Sequence, residues 1–313
     1  MSRSDTSESV ARADCPLCGP ERFRPWTREG PWTVVCCRGC GTRLTWPRPD
    51  AAALEALYAR ESYFAERDMG AGAAEGALAR AKSLIGGIPG PVQRILDFGA
   101  GEGHLVAAFK SLGLQAEGVE PSPAGREAAR RLHGLALAPE IGAENGYDLV
   151  TALHSLEHVP DPLAALRHLR EALRPGGFLL AEVPHAGTVE MWRPARRRLI
   201  LDLPAHLYHF TPETLSAVLR GAGFEVLAVR LTNPDALEWA LALRERLKAR
   251  ARLGPTASGQ TEVPGGRSGN EARTLSTDVW LDHVLPWLRR RLPGWKFQVL
   301  AQRADGGLGL PSA

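Results

Sequence analysis

From residue 94 onward, short apolar runs alternate with stretches whose apolar residues recur at helical spacing. Residues 94–98 and 115–120 read as buried strands. Between them Leu105, Val106, Phe109 and Leu112 share one face of a helix. The alternation continues with a helix at 124–132, a weak third strand at 135–138 and a fourth strand at 147–153. A helix at 163–173, a turn at 174–177 and a fifth strand at 178–183 follow. Residues 184–204 read as a loop, and Thr211-Pro-Glu-Thr is a capping signal for the next helix. Strands at 224–231 and 295–300 complete the set, the last expected to run antiparallel. Strands separated by helices predict an open α/β sheet, with ligands at the carboxyl ends of its strands.

The first strand ends on an acid, Asp97, and runs into a turn with alternating glycines, Gly99, Gly101 and Gly103. Glycine lets backbone amides approach a ligand closely. A dinucleotide turn spaces its glycines G-x-G-x-x-G to hold a pyrophosphate. Here the spacing is G-x-G-x-G, and Asp97 would repel a pyrophosphate but suit an ammonium or sulfonium group. The second strand ends in Glu120, placed to accept hydrogen bonds from ribose hydroxyls.

All five cysteines fall between Cys15 and Cys40. Cys15-Pro-Leu-Cys18 and Cys37-Arg-Gly-Cys40 are two C-x-x-C pairs, each followed by a glycine that permits a tight knuckle. Four thiolates on two knuckles fit one tetrahedral zinc, a structural site with no open position. Cys36 is the spare, and using it in place of Cys37 would lengthen the second knuckle. So short a segment has little core of its own, so a metal would supply much of its stability.

Asp97 with the glycine turn and Glu120 resemble motifs I and II of the class I S-adenosylmethionine (SAM) methyltransferases. The likeness extends to Asp148-Leu-Val150, Leu156-Glu-His-Val-Pro-Asp-Pro162 and Leu173-Arg-Pro-Gly-Gly177, and to segments 208–215 and 222–226. The nearest group carries an N-terminal zinc ribbon, and some of its members modify sugars or other secondary metabolites. The resemblance implies a seven-stranded, doubly wound, Rossmann-like methyltransferase sheet. It implies that Asp97, Gly99, Gly101, Gly103 and Glu120 bind SAM, with Leu153 and His154 lining the methyl donor.

His154-Ser-Leu-Glu-His158 also spells H-x-x-E-H, a metalloprotease motif that needs a continuous helix. A strand precedes it, and Pro160 and Pro162 follow closely. Quinone O-methyltransferases have a similar Leu-Glu-His-Val segment and use its acid and His with a divalent cation. They carry a further Glu where this chain has His154. The other reading is that Glu157 and His158 shape the loop under the cofactor. Sugar C-methyltransferases have a catalytic His preceded by Glu in a segment related to Ala205-His-Leu-Tyr-His-Phe210. His206 lies nearest that His, with Ala205 in place of the Glu. His206 and His209, beside Tyr208, are the candidate general bases, and the alternative for both is a structural role.

Lys and Arg total 38 against 35 Asp and Glu, so the net charge carries no polyanion signature. The basic cluster at 193–198 is either a solvated face or an attractor for an acidic substrate group. The first residues lack an apolar signal-peptide core, and no apolar run can span a bilayer. A cytoplasmic enzyme acting on a small molecule, with no nucleic-acid partner, is expected. The expected organisation is a tail at 1–14, the zinc ribbon at 15–48 and a connector with helices at 49–90. The methyltransferase domain covers 91–232 and 294–304, a helical insertion lies at 233–293 and a tail at 305–313. The insertion, with its Trp-bearing helix at 278–292, reads first as a lid, a core element or a dimer surface, and second as a membrane contact. Two rival functions are a dinucleotide-dependent oxidoreductase and a non-catalytic binding module with a vestigial SAM site.

Overall fold

The computed structural model describes residues 14–15, 17–20, 23–50, 52–54, 73–143, 145–188, 191, 194–232 and 296–304. The expectations for 1–13, for 55–72, for 233–293 and for 305–313 lie outside them. At the N-terminal end a two-stranded hairpin, β1 (Asp14–Cys15) and β2 (Gly19–Pro20), precedes an antiparallel sheet of β3 (Phe23–Glu29), β4 (Trp32–Cys37) and β5 (Arg43–Trp46). Asp50 then accepts the Ala53 amide at 2.7 Å, as a helix cap does.

A mixed six-stranded sheet forms the rest. In chain order its elements are α1 (Ala73–Ile85), β6 (Arg94–Phe98), α2 (His104–Ser111), β7 (Gln115–Val119), α3 (Pro123–His133) and β8 (Tyr147–Leu153). Then come α4 (Pro162–Ala172), β9 (Leu173–Pro184), α5 (Pro194–Leu201), α6 (Pro212–Gly221), β10 (Phe224–Thr232) and β11 (Lys296–Arg303). The spatial order is β10-β11-β9-β8-β6-β7. Strands β6 to β9 pair in parallel, and β11 runs antiparallel to β9 as expected.

Three local expectations change. The third strand, at 135–138, is a single parallel bridge from Ala138 to Val119, so among the described residues this sheet has six strands where seven are expected. The 174–177 turn is absorbed into β9. Its register against β8 jumps from Tyr147–Leu173 to Leu149–Phe178, a bulge that takes up the Pro-Gly-Gly residues without ending the strand. The loop at 184–204 contains the helix α5.

The ribbon does not stand apart. Cys15, Phe23, Val35, Cys37 and Leu44 belong to the same apolar cluster as Tyr208, Phe210, Leu215 and Val218. Backbone bonds join them too. Leu44 bridges Tyr208, the Thr45 amide donates to the Leu207 carbonyl, and the His209 amide donates to the Arg43 carbonyl. Arg197, from the basic cluster, pairs with Glu29 of β3 at 2.5 Å. That member of the cluster is a clamp on the ribbon.

Candidate active site

The glycine turn lies at the carboxyl end of β6. Gly99 has φ 77°, and a Cβ there would stand 2.5 Å from the Ser155 Cβ, so no other residue fits without displacement. Its amide and that of Ala100 donate to the Val119 carbonyl at 2.8 and 2.9 Å, closing the turn onto β7. Gly101 has φ 53°, and a Cβ there would meet nothing within 4 Å. The turn is therefore packed at its base and open at Gly101, as a ligand cradle must be. Gly103 caps α2 from the left-handed region.

Asp97 is 4% exposed and accepts a 2.6 Å hydrogen bond from the Thr151 hydroxyl. Burial pushes its carboxyl up to about 6, with Thr151 opposing and Glu120 adding. Glu120 is also buried. Its two oxygens take the amides of Ser122 and Gly101, each at 2.8 Å. Burial raises its carboxyl even so. The acid at the end of the second strand thus touches the turn itself, and each oxygen keeps acceptor capacity beyond these two bonds.

Leu153 ends β8, and His154 follows it. His154 has φ 53°, a left-handed backbone rare for a residue with a side chain. Its imidazole stands between two acids: Nδ1 lies 3.4 Å from Glu157 and Nε2 3.2 Å from Glu182. Burial disfavours its charge, but the two carboxylates outweigh that and its pKa is raised. Glu182, on β9, also meets Lys296 Nζ at 3.1 Å, Gln298 Nε2 at 2.8 Å and the Arg80 guanidinium. Burial works against the Glu182 charge, and its cationic neighbours hold it well below the carboxylate range. This hub is absent from the sequence reading. The available signal is a single acid inside the apolar run Phe178-Leu-Leu-Ala-Glu-Val183.

The two candidate bases take different places. His209 is 3% exposed, with Nε2 2.9 Å from Thr45 Oγ1. The Thr45 hydroxyl donates to the His206 carbonyl at 2.6 Å, so its oxygen accepts from His209 Nε2–H. Burial, then the nearby His206 and Arg43, hold the His209 pKa well below the ordinary value. In this geometry His209 is a buried tie between ribbon and sheet domain. Tyr208 is a tie as well, donating to the Pro160 carbonyl at 3.1 Å and accepting from Arg48 at 2.8 Å. His206 is buried too. Its Nδ1 lies 2.9 Å from the Ile200 carbonyl, and its Nε2 faces Asp202 at 3.7 Å and Glu157 at 4.0 Å.

At the ribbon, the ligand atoms of Cys15, Cys18, Cys37 and Cys40 all lie within 4.8 Å of one another. The Cys15 and Cys40 sulfurs are 3.4 Å apart. Cys36 is outside this set, its thiol directed at the Gly41 and Cys37 carbonyls. Adjacent strand residues point to opposite faces, so only one of Cys36 and Cys37 can join the cluster. The donor set fits a structural tetrahedral zinc.

A model of a methyltransferase domain matches residues 70–229, just over half of the 313-residue chain. The chain belongs to that methyltransferase family. Among curated relatives, a ubiquinone biosynthesis O-methyltransferase of Alkalilimnicola ehrlichii is 34% identical over 31% of this chain and 42% of its own length. One of Xanthomonas campestris pv. campestris is 32% identical over 44% of this chain and 64% of its own length. The chain thus spans less than two thirds of the length of these relatives. In fold, the methyltransferase domain is similar to phosphoethanolamine N-methyltransferase 2 of Haemonchus contortus, solved with S-adenosyl-L-methionine. That similarity has a TM-score of 0.50 at 18% identity and covers 90% of this chain and 71% of the other. Among the described residues no helix is long and apolar enough to cross a membrane.

Proposed function

We propose that this chain is a SAM-dependent methyltransferase that methylates a small molecule at a nucleophilic oxygen, on a scaffold braced by zinc at Cys15, Cys18, Cys37 and Cys40. The observation that carries the reading is the turn packed beneath Gly99 and open at Gly101, with one buried acid, Asp97, before it and another, Glu120, bonded to the Gly101 amide. Bound SAM supplies a methyl group on a sulfonium, already a good leaving group. The protein's part is to position and to exclude water. Asp97 offers a carboxylate to the cationic methionine end, and Glu120 offers its free lone pairs to the ribose. Leu153 and His154 line the side on which the methyl group is presented. The oxygen acceptor is supported by the names of the curated relatives. A hydroxylated secondary metabolite or a sugar fits that chemistry.

Calorimetry with SAM and with NAD is the first test: SAM is expected to bind and NAD not to. Glu120→Ala is expected to weaken SAM by about 1.5–3 kcal/mol, the range for hydrogen bonds to a charged group. Labelled SAM offered with fractionated small metabolites then identifies the acceptor. Tight NAD binding without SAM binding would overturn the reading.

A further inference from the structure

We propose that the edge strand β10 pairs with β10 of a second copy of this chain, joining two sheets about a two-fold axis centred on Val229. In the mixed sheet β10 is the outermost strand on its side, with β11 on its inner side. Four large apolar side chains are exposed among the described residues, and three of them are on this strand: Leu227 at 41%, Val229 at 42% and Leu231 at 52%. The fourth, Leu132, stands alone on α3. A single exposed leucine is ordinary, but three on one edge strand call for a partner.

Residues at every second position of a strand share a face, so the three form one stripe. The alternate residues, Ala228 and Arg230, line a cleft with Leu84 of α1 and Leu300 of β11. Edge strands are commonly protected from pairing by a charge, a proline or a bulge. Between Leu227 and Leu231 the stripe carries no charge, and β10 contains no proline.

The stripe reads the same in both directions, Leu-x-Val-x-Leu about Val229. That symmetry selects the occupant. A two-fold axis normal to the sheet runs the two edge strands antiparallel and keeps every side chain on its own face. Residues directly opposite each other share a face, so odd-numbered positions meet odd-numbered ones. Centred on Val229, the pairing sets that residue against Val229 of the second copy. Leu227 of each copy then meets Leu231 of the other, and the same patch serves both sides.

Neighbouring registers are worse. One centred on Arg230 would set two guanidinium groups opposite each other, and one centred on Ala228 would set Leu231 against Glu225. Centred on Val229, Arg230 falls opposite Ala228 and the charges stay apart. The same axis reverses the direction of every strand. The glycine turns, at the carboxyl ends of β6, therefore open at opposite edges of the joined sheet. The proposal concerns assembly and does not rest on methyl transfer.

The test is sedimentation equilibrium of the full-length, zinc-loaded chain from the micromolar to the sub-millimolar range, where a monomer–dimer equilibrium is expected. Val229→Lys sets two ammonium groups against each other at the axis and is expected to weaken the dimer by about tenfold or more. Circular dichroism reports whether that variant folds. Cross-linking checks the register without it. Residues directly opposite have Cα atoms about 4.5–5.5 Å apart, within disulfide reach. With oxidised glutathione, Val229→Cys is expected to give a covalent dimer above the wild-type background, and Leu227→Cys, facing a leucine, is not. A wild type that stays monomeric at every concentration would assign the stripe to another segment of the chain or to a different protein, and would overturn the proposal. So would a dimer that a folded Val229→Lys protein keeps unchanged, or cross-linking as efficient in Leu227→Cys as in Val229→Cys.

Discussion

Thr45 of the ribbon and His209 of the sheet domain share a buried hydrogen bond of 2.9 Å, and the same hydroxyl reaches the His206 carbonyl. Neither end of this bond is exposed to solvent. Thr45→Val keeps the shape and leaves His209 Nε2–H buried without its acceptor. It is expected to cost about 1–3 kcal/mol of stability, the penalty for an orphaned buried donor. Denaturant midpoints measure it. SAM affinity is expected to stay within twofold. His209→Ala is expected to do the same; a stable His209→Ala protein whose turnover falls by roughly 10²-fold or more would instead make His209 catalytic.

Asp97 is expected to make SAM affinity depend on pH. Burial raises its carboxyl from 3.8 to about 6 in the folded protein. A folded value above the unfolded one means that its favourable contribution to stability is complete below about pH 3.8 and is lost as pH rises through about 6. A cationic ligand reverses that preference, because it favours the carboxylate. SAM affinity is therefore expected to climb as pH rises to about 6 and to level off above it, by at most about tenfold per pH unit. Calorimetry across that interval checks it. Asp97→Asn is expected to remove the climb, and an unchanged profile in that variant would place the cationic end of SAM elsewhere.

Two neighbouring glycines are expected to fail differently. Gly99→Ala combines a left-handed backbone, about 1–2 kcal/mol, with a clash on Ser155, about 1–3 kcal/mol more. Its melting temperature should fall markedly. Gly101→Ala bears only the backbone cost, because nothing lies within 4 Å of the added methyl. It should fold nearly normally and lose SAM affinity by more than about tenfold, since the methyl enters the cradle. Normal SAM binding by Gly101→Ala would show that the open side of the turn is not where the ligand lies.

Zinc uptake is expected to release protons. Burial pushes the Cys15 thiol up to about 11 and the Cys18 thiol higher still, so these sulfurs hold protons until a cation arrives. Zinc affinity should fall as pH falls. Cys18→Ser should lose the ion and Cys36→Ser should keep it. Elemental analysis of the purified variants decides between them, and zinc retained in Cys18→Ser would remove that residue from the ligand set.

The strands, the glycine turn, its two acids and the cysteine pairs were legible in the sequence because each is a local signal. Periodicity marks an element from its own residues, and C-x-x-C marks a knuckle. The features that were not legible depend on distant partners. Residues 135–138 have strand composition, but they meet β7 through one bridge. Pro175, Gly176 and Gly177 signal a turn, yet the bulge against β8 carries the strand through them. His206 and His209 look alike in the sequence. One is placed by α5 and the 3₁₀ turn Leu156–His158, the other by β5, and only the fold distinguishes them. The charges around Glu182 come from α1, from His154 just after β8 and from β11, and no short window of sequence contains them.

The pairing of β5 with residues 207–209 occupies a sheet edge that a free-standing ribbon would leave bare. Its removal would uncover more than a missing module. A chain trimmed to begin at residue 49 would present the unpaired Leu207 carbonyl and His209 amide and the uncovered rings of Tyr208 and Phe210, side by side. Such an edge is a template for intermolecular strand pairing. The trimmed protein is expected to aggregate even with its glycine turn and acids intact. In that sense the ribbon acts as an internal chaperone for the surface it covers.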